Sequence, residues 1–419
     1  MYKKKNIAVL STLYYPDMGA PSSVMDRFVS LLQDRYNFYI ITKTYKILDS
    51  FEHKQNITYI SGFRHILSLK CERNINSGKF VLMNKLILKS IDVFKLLATQ
   101  VCRPTANSWE NCAYFIELER LNSQVSLDAV ISVSNTCFTQ FAANKFKKKH
   151  PNVRWIQFVT DPFTENYIYY RYKLFPNLWR KINFNDERRF YKNCDAAFLT
   201  PELFGTMRKK FPESSSKCYE MQFTLSDLSV YKSSSSPNTT IKLIYAGAVY
   251  KDIRNPEFMM QVISKIKEVY LDMFTNKGAN RGECDDILER NMSDNIFIHG
   301  FVPKEQYNKM ICNEYDVLVN IGNISDLQTP SKMLDLLSTG RPILNFYFVE
   351  DSQYEMIERY PLGLNIRCGD KNAVNKVKDF CIKAKGKALS FNEVKSLYPK
   401  NVLDHQIEQF EKIIKGEIV

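Results

Sequence analysis

The chain has 419 residues, 45% hydrophobic and 25% charged, an ordinary globular composition long enough for two domains that each bury a core. No apolar run approaches the roughly 20 residues of a membrane span, and the basic start MYKKK leads straight into a strand pattern with no separate signal segment. The charge is lopsided: residues 1–225 hold 33 Lys+Arg against 19 Asp+Glu, so nearly all of the net +13 sits on the first half. That asymmetry points to an anionic partner, a membrane surface or phosphorylated lipid rather than nucleic acid, for which no motif is present; simple solubility is the plain rival.

Ten scattered cysteines form no Cys-x-x-Cys pair and sit near no histidine cluster, so they read as reduced cytosolic core thiols and not as metal ligands. In chain order, Asn6–Thr12 (NIAVLST) is a buried strand leading into the loop Leu13–Ser23, which contains Gly19. A helix with Val24, Phe28, Leu31 and Leu32 on one face follows, then the strand Phe38–Thr42. This strand–loop–helix–strand order belongs to a doubly wound parallel sheet, whose ligands sit beyond the carboxyl ends of the strands. Gly19 is in that position, although a simple turn role explains it equally well. The loop lacks the Gly-x-Gly-x-x-Gly dinucleotide fingerprint.

Lys79–Arg103 reads as a helix in which Lys79, Lys85, Lys89 and Lys95 accompany many bulky apolar residues. It fits an interfacial helix, or a core helix whose lysines reach to solvent. Ala129–Val133 is a strand closed by a polar turn, and Val153–Thr160 is another, ending at Asp161. A carboxylate there is a candidate catalytic group, with a turn-starting Asp before Pro as the bland account. Tyr167–Lys181 interleaves aromatics with Arg and Lys, as a bilayer interface or a packed aromatic helix would. Ala196–Thr200 completes the strands of the first half. The serine-rich stretch 226–240 reads as a linker, dividing a first domain of 1–225 from a second of 241–400, with 401–419 as a terminal helix that returns toward the first domain.

The second half restarts with the strand Ile241–Ala246 and Gly247, then a loop carrying Arg254 just before a helix that starts at Pro256. Residues 275–294 are polar and read as a surface loop. Ile296–His299 is a strand running into Gly300, Phe301 and Val302. The stretch Asp316–Phe346 then encodes a full strand–turn–helix–turn–strand unit. Thr329 is its N-cap, Pro330 its first helical residue, and Gly340 its stop. Lys332 in the first turn opposes the helix dipole, and makes sense if an external anion occupies that end. Asp335 lies on nearly the same face, where it can serve a sugar hydroxyl or simply pair with Lys332.

These motifs, in this order, resemble the GT-B glycosyltransferases, and the second half resembles their retaining family 4. The carrying residues are Gly247, Arg254–Asn255–Pro256, His299–Gly300–Phe301–Val302, Asp316–Val317–Leu318, Pro330–Ser331–Lys332 with Asp335, and Gly340–Arg341–Pro342. The first half matches by architecture and by the loop at Gly19. The resemblance implies two Rossmann-like doubly wound α/β domains facing across a cleft. It implies a sugar moved from a nucleotide-diphosphate sugar to a lipid-linked or polysaccharide acceptor in surface-glycan synthesis. Separately, the basic first half and the stretches 79–103 and 167–181 lead us to expect a cytoplasmic protein peripheral on the inner face of the cell membrane.

The same resemblance implies that Arg254 and the backbone of Thr329, Pro330, Ser331 and Lys332 contact phosphate, that Phe301 and Val302 line the base, and that Asp335 holds the ribose. The acceptor would enter near Gly19 and Asp161. Two departures stand out: the family commonly has Glu where this chain has Leu327, and Arg where it has Ala248. The Pro-Ser-Lys sequence resembles a variant of capsule and exopolysaccharide transferases. No Asp-x-Asp occurs, so neither metal nor other cofactor is expected. A catalytically silent binding scaffold and a nucleotide-sugar epimerase are the alternative functions.

Overall fold

The computed structural model describes residues 4–16, 18–43, 54, 56–60, 63–101, 108–134, 137–166, 169–170, 173–231, 240–275, 284–324 and 332–417. The chain divides into two compact units, Met1–Met221 with Ile407–Val419, and Gln222–Gln406. Both are α/β units with parallel sheets, the fold class read from the sequence.

In the first unit the elements are β1 (Lys5–Ser11), α1 (Ala20–Leu32), β2 (Tyr36–Lys43), β3 (Ile57–Ile60), α2 (Phe63–Asn76), α3 (Val81–Val101), α4 (Ser108–Val125), β4 (Ala129–Ser134), α5 (Phe138–Lys149), β5 (Arg154–Val159), α6 (Pro176–Asn193), β6 (Ala196–Leu199), α7 (Pro201–Lys210) and β7 (Cys218–Glu220). Seven parallel strands run in the order β3-β2-β1-β4-β5-β6-β7. Every residue of β4 and β6 is buried, as continuous apolar runs covered on both faces must be. The order reverses between β1 and β4, which opens a crevice at their carboxyl ends.

Gly19 begins α1 at that crevice, its N–H donating to the Ser22 hydroxyl at 2.9 Å. The buried face of α1 is Val24, Phe28 and Leu32; Leu31, expected with them, is exposed because it lies past the edge of that stripe.

The second unit contains β8 (Ile241–Ala246), α8 (Glu257–Ile263), β9 (Val269–Phe274), α9 (Asp285–Arg290), β10 (Ile296–His299), α10 (Lys304–Asn313), β11 (Val317–Ile321), α11 (Lys332–Ser338), β12 (Ile343–Tyr347), α12 (Ser352–Arg359), β13 (Gly363–Arg367), α13 (Ala373–Ala384) and α14 (Phe391–Leu397), with α15 (Leu403–Lys415) crossing the division. Its six parallel strands are ordered β10-β9-β8-β11-β12-β13, so its switch point lies between β8 and β11. Asn320, Asn345 and Asn365 stand in register on β11, β12 and β13 and join by side-chain hydrogen bonds of 2.8 and 2.7 Å. A one-residue slip would strand the buried amides of Asn320 and Asn345, so the ladder fixes the register beside the switch point.

The segment from Gln222 is already tied to the second unit: the Leu225 N–H donates to Asn401 O at 2.9 Å and the Ser226 N–H to Ser338 Oγ at 2.9 Å. Residues 232–239 lie outside the described residues. The polar stretch 275–294 contains the helix α9, anchored by buried Ile287 and Leu288. The end of α15 packs into the first unit, with the Phe410 ring 4.6 Å from that of Phe28 and 5.7 Å from that of Phe198.

Candidate functional site

The second unit gathers its candidate residues at the carboxyl ends of β8 and β11, where a doubly wound sheet leaves room for a ligand. Gly247 follows β8 directly and Arg254 closes the same loop, whose backbone turns on itself as the Arg254 N–H donates to Tyr250 O at 2.9 Å. Across the switch point, the Ile324 N–H donates to Ile253 O at 2.7 Å and joins this loop to the one after β11. Lys332 opens α11, and its Nζ donates to Ala246 O, the last carbonyl of β8, at 2.8 Å.

The fit around Gly247 is close. A Cβ at this position would stand 2.9 Å from the Tyr245 hydroxyl, which would have to shift, and in ordinary contact with Lys332 Nζ at 3.5 Å. Arg254 Nε and Nη2 donate to Asn323 Oδ1 at 3.2 and 3.0 Å. The described partners of both cations are thus neutral oxygens.

The electrostatics follow from this arrangement. Burial, and then the charge of Arg254, lower Lys332 to about 8, and Asp335 acts in the opposite sense. Burial raises the Tyr245 phenol, and the neighbouring Arg254 works against that rise. Burial also raises Tyr307, with further upward pushes from Asp335 and Tyr245. Arg254, Lys332, Asp335, Tyr245 and Tyr307 therefore interact as one group. Two guanidinium or ammonium charges held together in a half-buried setting suit a polyanion better than a neutral ligand. A diphosphate leaving group is the kind of developing charge they can stabilise.

Other expected residues stand elsewhere. Thr329, Pro330 and Ser331, together with Leu327, lie outside the described residues. Phe301 is 69% exposed and Val302 half-buried, just past the edge strand β10. Two strands separate them from β11, roughly 10 Å to β8 at the usual strand spacing. Arg341, part of the Gly340–Arg341–Pro342 motif, is structural: its guanidinium donates to Cys312 O at 2.5 Å and Tyr315 O at 2.8 Å. Tyr245, Asn323 and Tyr307 were not singled out by sequence. Tyr245 faces the core of a strand and Asn323 follows an ordinary glycine turn, so neither carries a local signal.

In the first unit, Asp161 follows β5 next to the end of β4, where the Thr160 N–H donates to Ser134 Oγ at 3.0 Å. The Thr160 hydroxyl donates to Asp161 Oδ2 at 3.2 Å. Burial nevertheless raises Asp161 to about 6, against that hydrogen bond. Burial also raises the nearby Cys137 and Tyr169, and Asp161 adds to both shifts. Gly19 lies at the neighbouring switch point as the start of α1. Among the described residues, no three His, Cys, Asp or Glu side chains gather as a metal site. No described helix is long and apolar enough to cross a membrane, and the described cysteines are all free thiols.

No family model and no curated protein sequence matches the chain. Its fold is shared with solved structures of low sequence identity. A glycosyltransferase from Rickettsia africae ESF-5 aligns over 99% of this chain and 98% of its own, at 10% identity and a TM-score of 0.65. The apo lipopolysaccharide outer core galactosyltransferase WaaB aligns over 98% and 99%, at 10% identity and TM-score 0.57. The Neisseria meningitidis UDP-GlcNAc 2-epimerase bound to UDP-GlcNAc aligns over 98% and 99%, at 12% identity and TM-score 0.56. The paired parallel-sheet units are thus those of the GT-B fold.

Proposed function

We propose that the chain transfers a sugar from a nucleoside-diphosphate sugar, and that its second unit holds the donor diphosphate between Arg254 and Lys332. The carrying observation is the pairing of these two cations at the switch point, each partnered by a neutral oxygen, beside a glycine where a Cβ would press on the Tyr245 hydroxyl. Asp335 serves the ribose, and the chain from Thr329 through Pro330 and Ser331 to Lys332 contacts phosphate. Gly247 keeps the phosphate approach open, and Phe301 with Val302 lines the base.

As the sugar–oxygen bond breaks, Arg254 and Lys332 neutralise the charge that grows on the leaving diphosphate, with no metal required. The transfer retains the anomeric configuration, as in the family 4 enzymes the sequence resembles. The first unit takes a lipid-linked or polysaccharide acceptor near Gly19. There Asp161, held at about 6, is mostly ionised at neutral pH and can take the acceptor proton. The setting is the cytoplasmic face of a membrane, supported by the basic first half.

A second reading is supported by the epimerase among the structural neighbours. Thermal unfolding against a panel of nucleotide sugars tests both: a bound donor at about 100-fold its Kd stabilises by about 2.7 kcal/mol. Transfer predicts a retained-configuration product that requires an acceptor and persists in EDTA. Conversion of the free nucleotide sugar without acceptor would establish the epimerase instead, and binding without turnover would leave only a scaffold.

A further inference from the structure

In the first unit α2 and α3 pack together, and α3 carries a set of exposed large apolar side chains. α2 packs against one face of α3, covering Asn84 fully and Ile87, Leu88 and Ile91 in part. On the opposite face Leu82, Met83, Leu86, Val93, Phe94 and Leu97 are between 50% and 75% exposed. At 3.6 residues per turn these six fall in one stripe about 120° wide. Soluble surfaces scatter such residues singly, and a continuous stripe marks something that covers it.

The hairpin tip adds an independent sign. Phe80 is 74% exposed and adopts φ +46°, a left-handed conformation costly for a bulky side chain. The Asn84 amide fixes it there by donating to Phe80 O at 3.0 Å and Lys79 O at 3.1 Å. An aromatic ring is thus held outward at the end of the stripe.

Charge decides among occupants. Residues 63–101 contain seven Lys or Arg against Glu72 and Asp92 alone. Lys85 and Lys89 are exposed along one border of the stripe. A second copy would bring these like charges together, whereas an anionic bilayer attracts them. We infer that α3 lies flat in the headgroup layer of an anionic membrane, its apolar stripe toward the acyl chains and Phe80 leading. This assigns an element to the membrane setting proposed above and rests on that setting, not on the sugar-transfer chemistry.

Flotation of the full chain with phosphatidylcholine vesicles, with and without equimolar phosphatidylglycerol, tests it. The chain is expected to float with the anionic vesicles at low salt and to be released by high salt. Leu86→Asp with Phe94→Asp should weaken binding by about tenfold or more, and Lys85→Gln with Lys89→Gln should weaken it chiefly at low salt. Leu86→Trp should show blue-shifted emission on the vesicles, a readout that holds even if the aspartate variant folds poorly.

If the wild type floats while the aspartate variant floats equally and the tryptophan emission stays unshifted, the α3 assignment falls and the membrane setting stands. If the wild type ignores both vesicle types, both fall. A concentration-dependent dimer abolished by Leu86→Asp would overturn the inference in favour of self-association. Nucleotide-sugar binding by the second unit should be unchanged in every case.

Discussion

Replacing Lys332 by methionine separates a binding role from a structural one, because the two roles predict opposite changes in stability. Burial beside Arg254 lowers Lys332 from an ordinary 10.5 to about 8. At about 1.4 kcal/mol per tenfold change in proton affinity, keeping that ammonium charged costs the folded chain on the order of 3 kcal/mol at neutral pH. Methionine matches the stem and removes the charge. It also removes the 2.8 Å hydrogen bond to Ala246 O, worth about 1 kcal/mol. Lys332→Met should therefore stabilise the unliganded chain by about 2 kcal/mol at pH 7.

The sign with pH follows from linkage. Below pH 8 the lysine is charged in both states and the cost is full. Between about 8 and 10.5 the folded chain releases a proton that the unfolded chain keeps, so wild-type stability rises with pH. The advantage of methionine should thus shrink toward zero by pH 10. Over the same range, nucleoside-diphosphate affinity of the wild type should fall, while that of Lys332→Met is weak and flat. Urea unfolding at pH 7 and pH 10, with calorimetric titration of the nucleotide, reads all of this. A variant destabilised equally at both pH values would refute the reasoning, because Lys332 would then be an ordinary structural contact.

Three further outcomes follow from the same geometry. Gly247→Ala should displace the Tyr245 hydroxyl, costing about 1–3 kcal/mol in unfolding experiments and weakening nucleotide binding more than that loss alone explains. Gly340→Ala, at φ +76° with its new Cβ 2.0 Å from Leu389 O, should abolish cooperative folding of the second unit in a thermal melt. Asp161, protonated in both states below about pH 4, is raised to about 6 in the fold, so its share of stability is lost as pH rises from 4 through 6. Asp161→Asn should remove that slope from denaturation curves; transfer by the wild type should rise with pH through about 6, and the variant should be slow throughout.

The strands with mainly apolar runs were legible in the sequence. β1, β4, β5, β8 and β11 were each expected from such runs, because strands buried on both faces leave little room for polar residues. β9 was missed because exposed Tyr270 and half-buried Asp272 interrupt its apolar run. The stop at Gly340 was readable because a left-handed residue after a helix calls for glycine.

At the site, Lys332 was conspicuous as a cation where the helix dipole disfavours one; in the fold the charge of Arg254 acts on it. Their shared dependence on Tyr245, Asn323 and Tyr307 could not be read locally, since these residues converge through the parallel pairing of β8 with β11 and through α10. The lysine-bearing helix at 79–103 left interface and core readings open; among the described side chains of α3, Asn84 is buried, Ile87, Leu88 and Ile91 are half-buried, and Leu82, Met83, Leu86, Val93, Phe94 and Leu97 are exposed.

The most direct test of the donor site is calorimetric titration of the full chain with the nucleotide sugar that most raises its unfolding temperature, repeated on Arg254→Ala and Asp335→Ala. A diphosphate clamped by Arg254 and a ribose held by Asp335 predict at least about tenfold weaker binding for each variant, or about 1.4 kcal/mol. Both variants binding as tightly as the wild type, or no nucleotide sugar binding the wild type, would contradict the account.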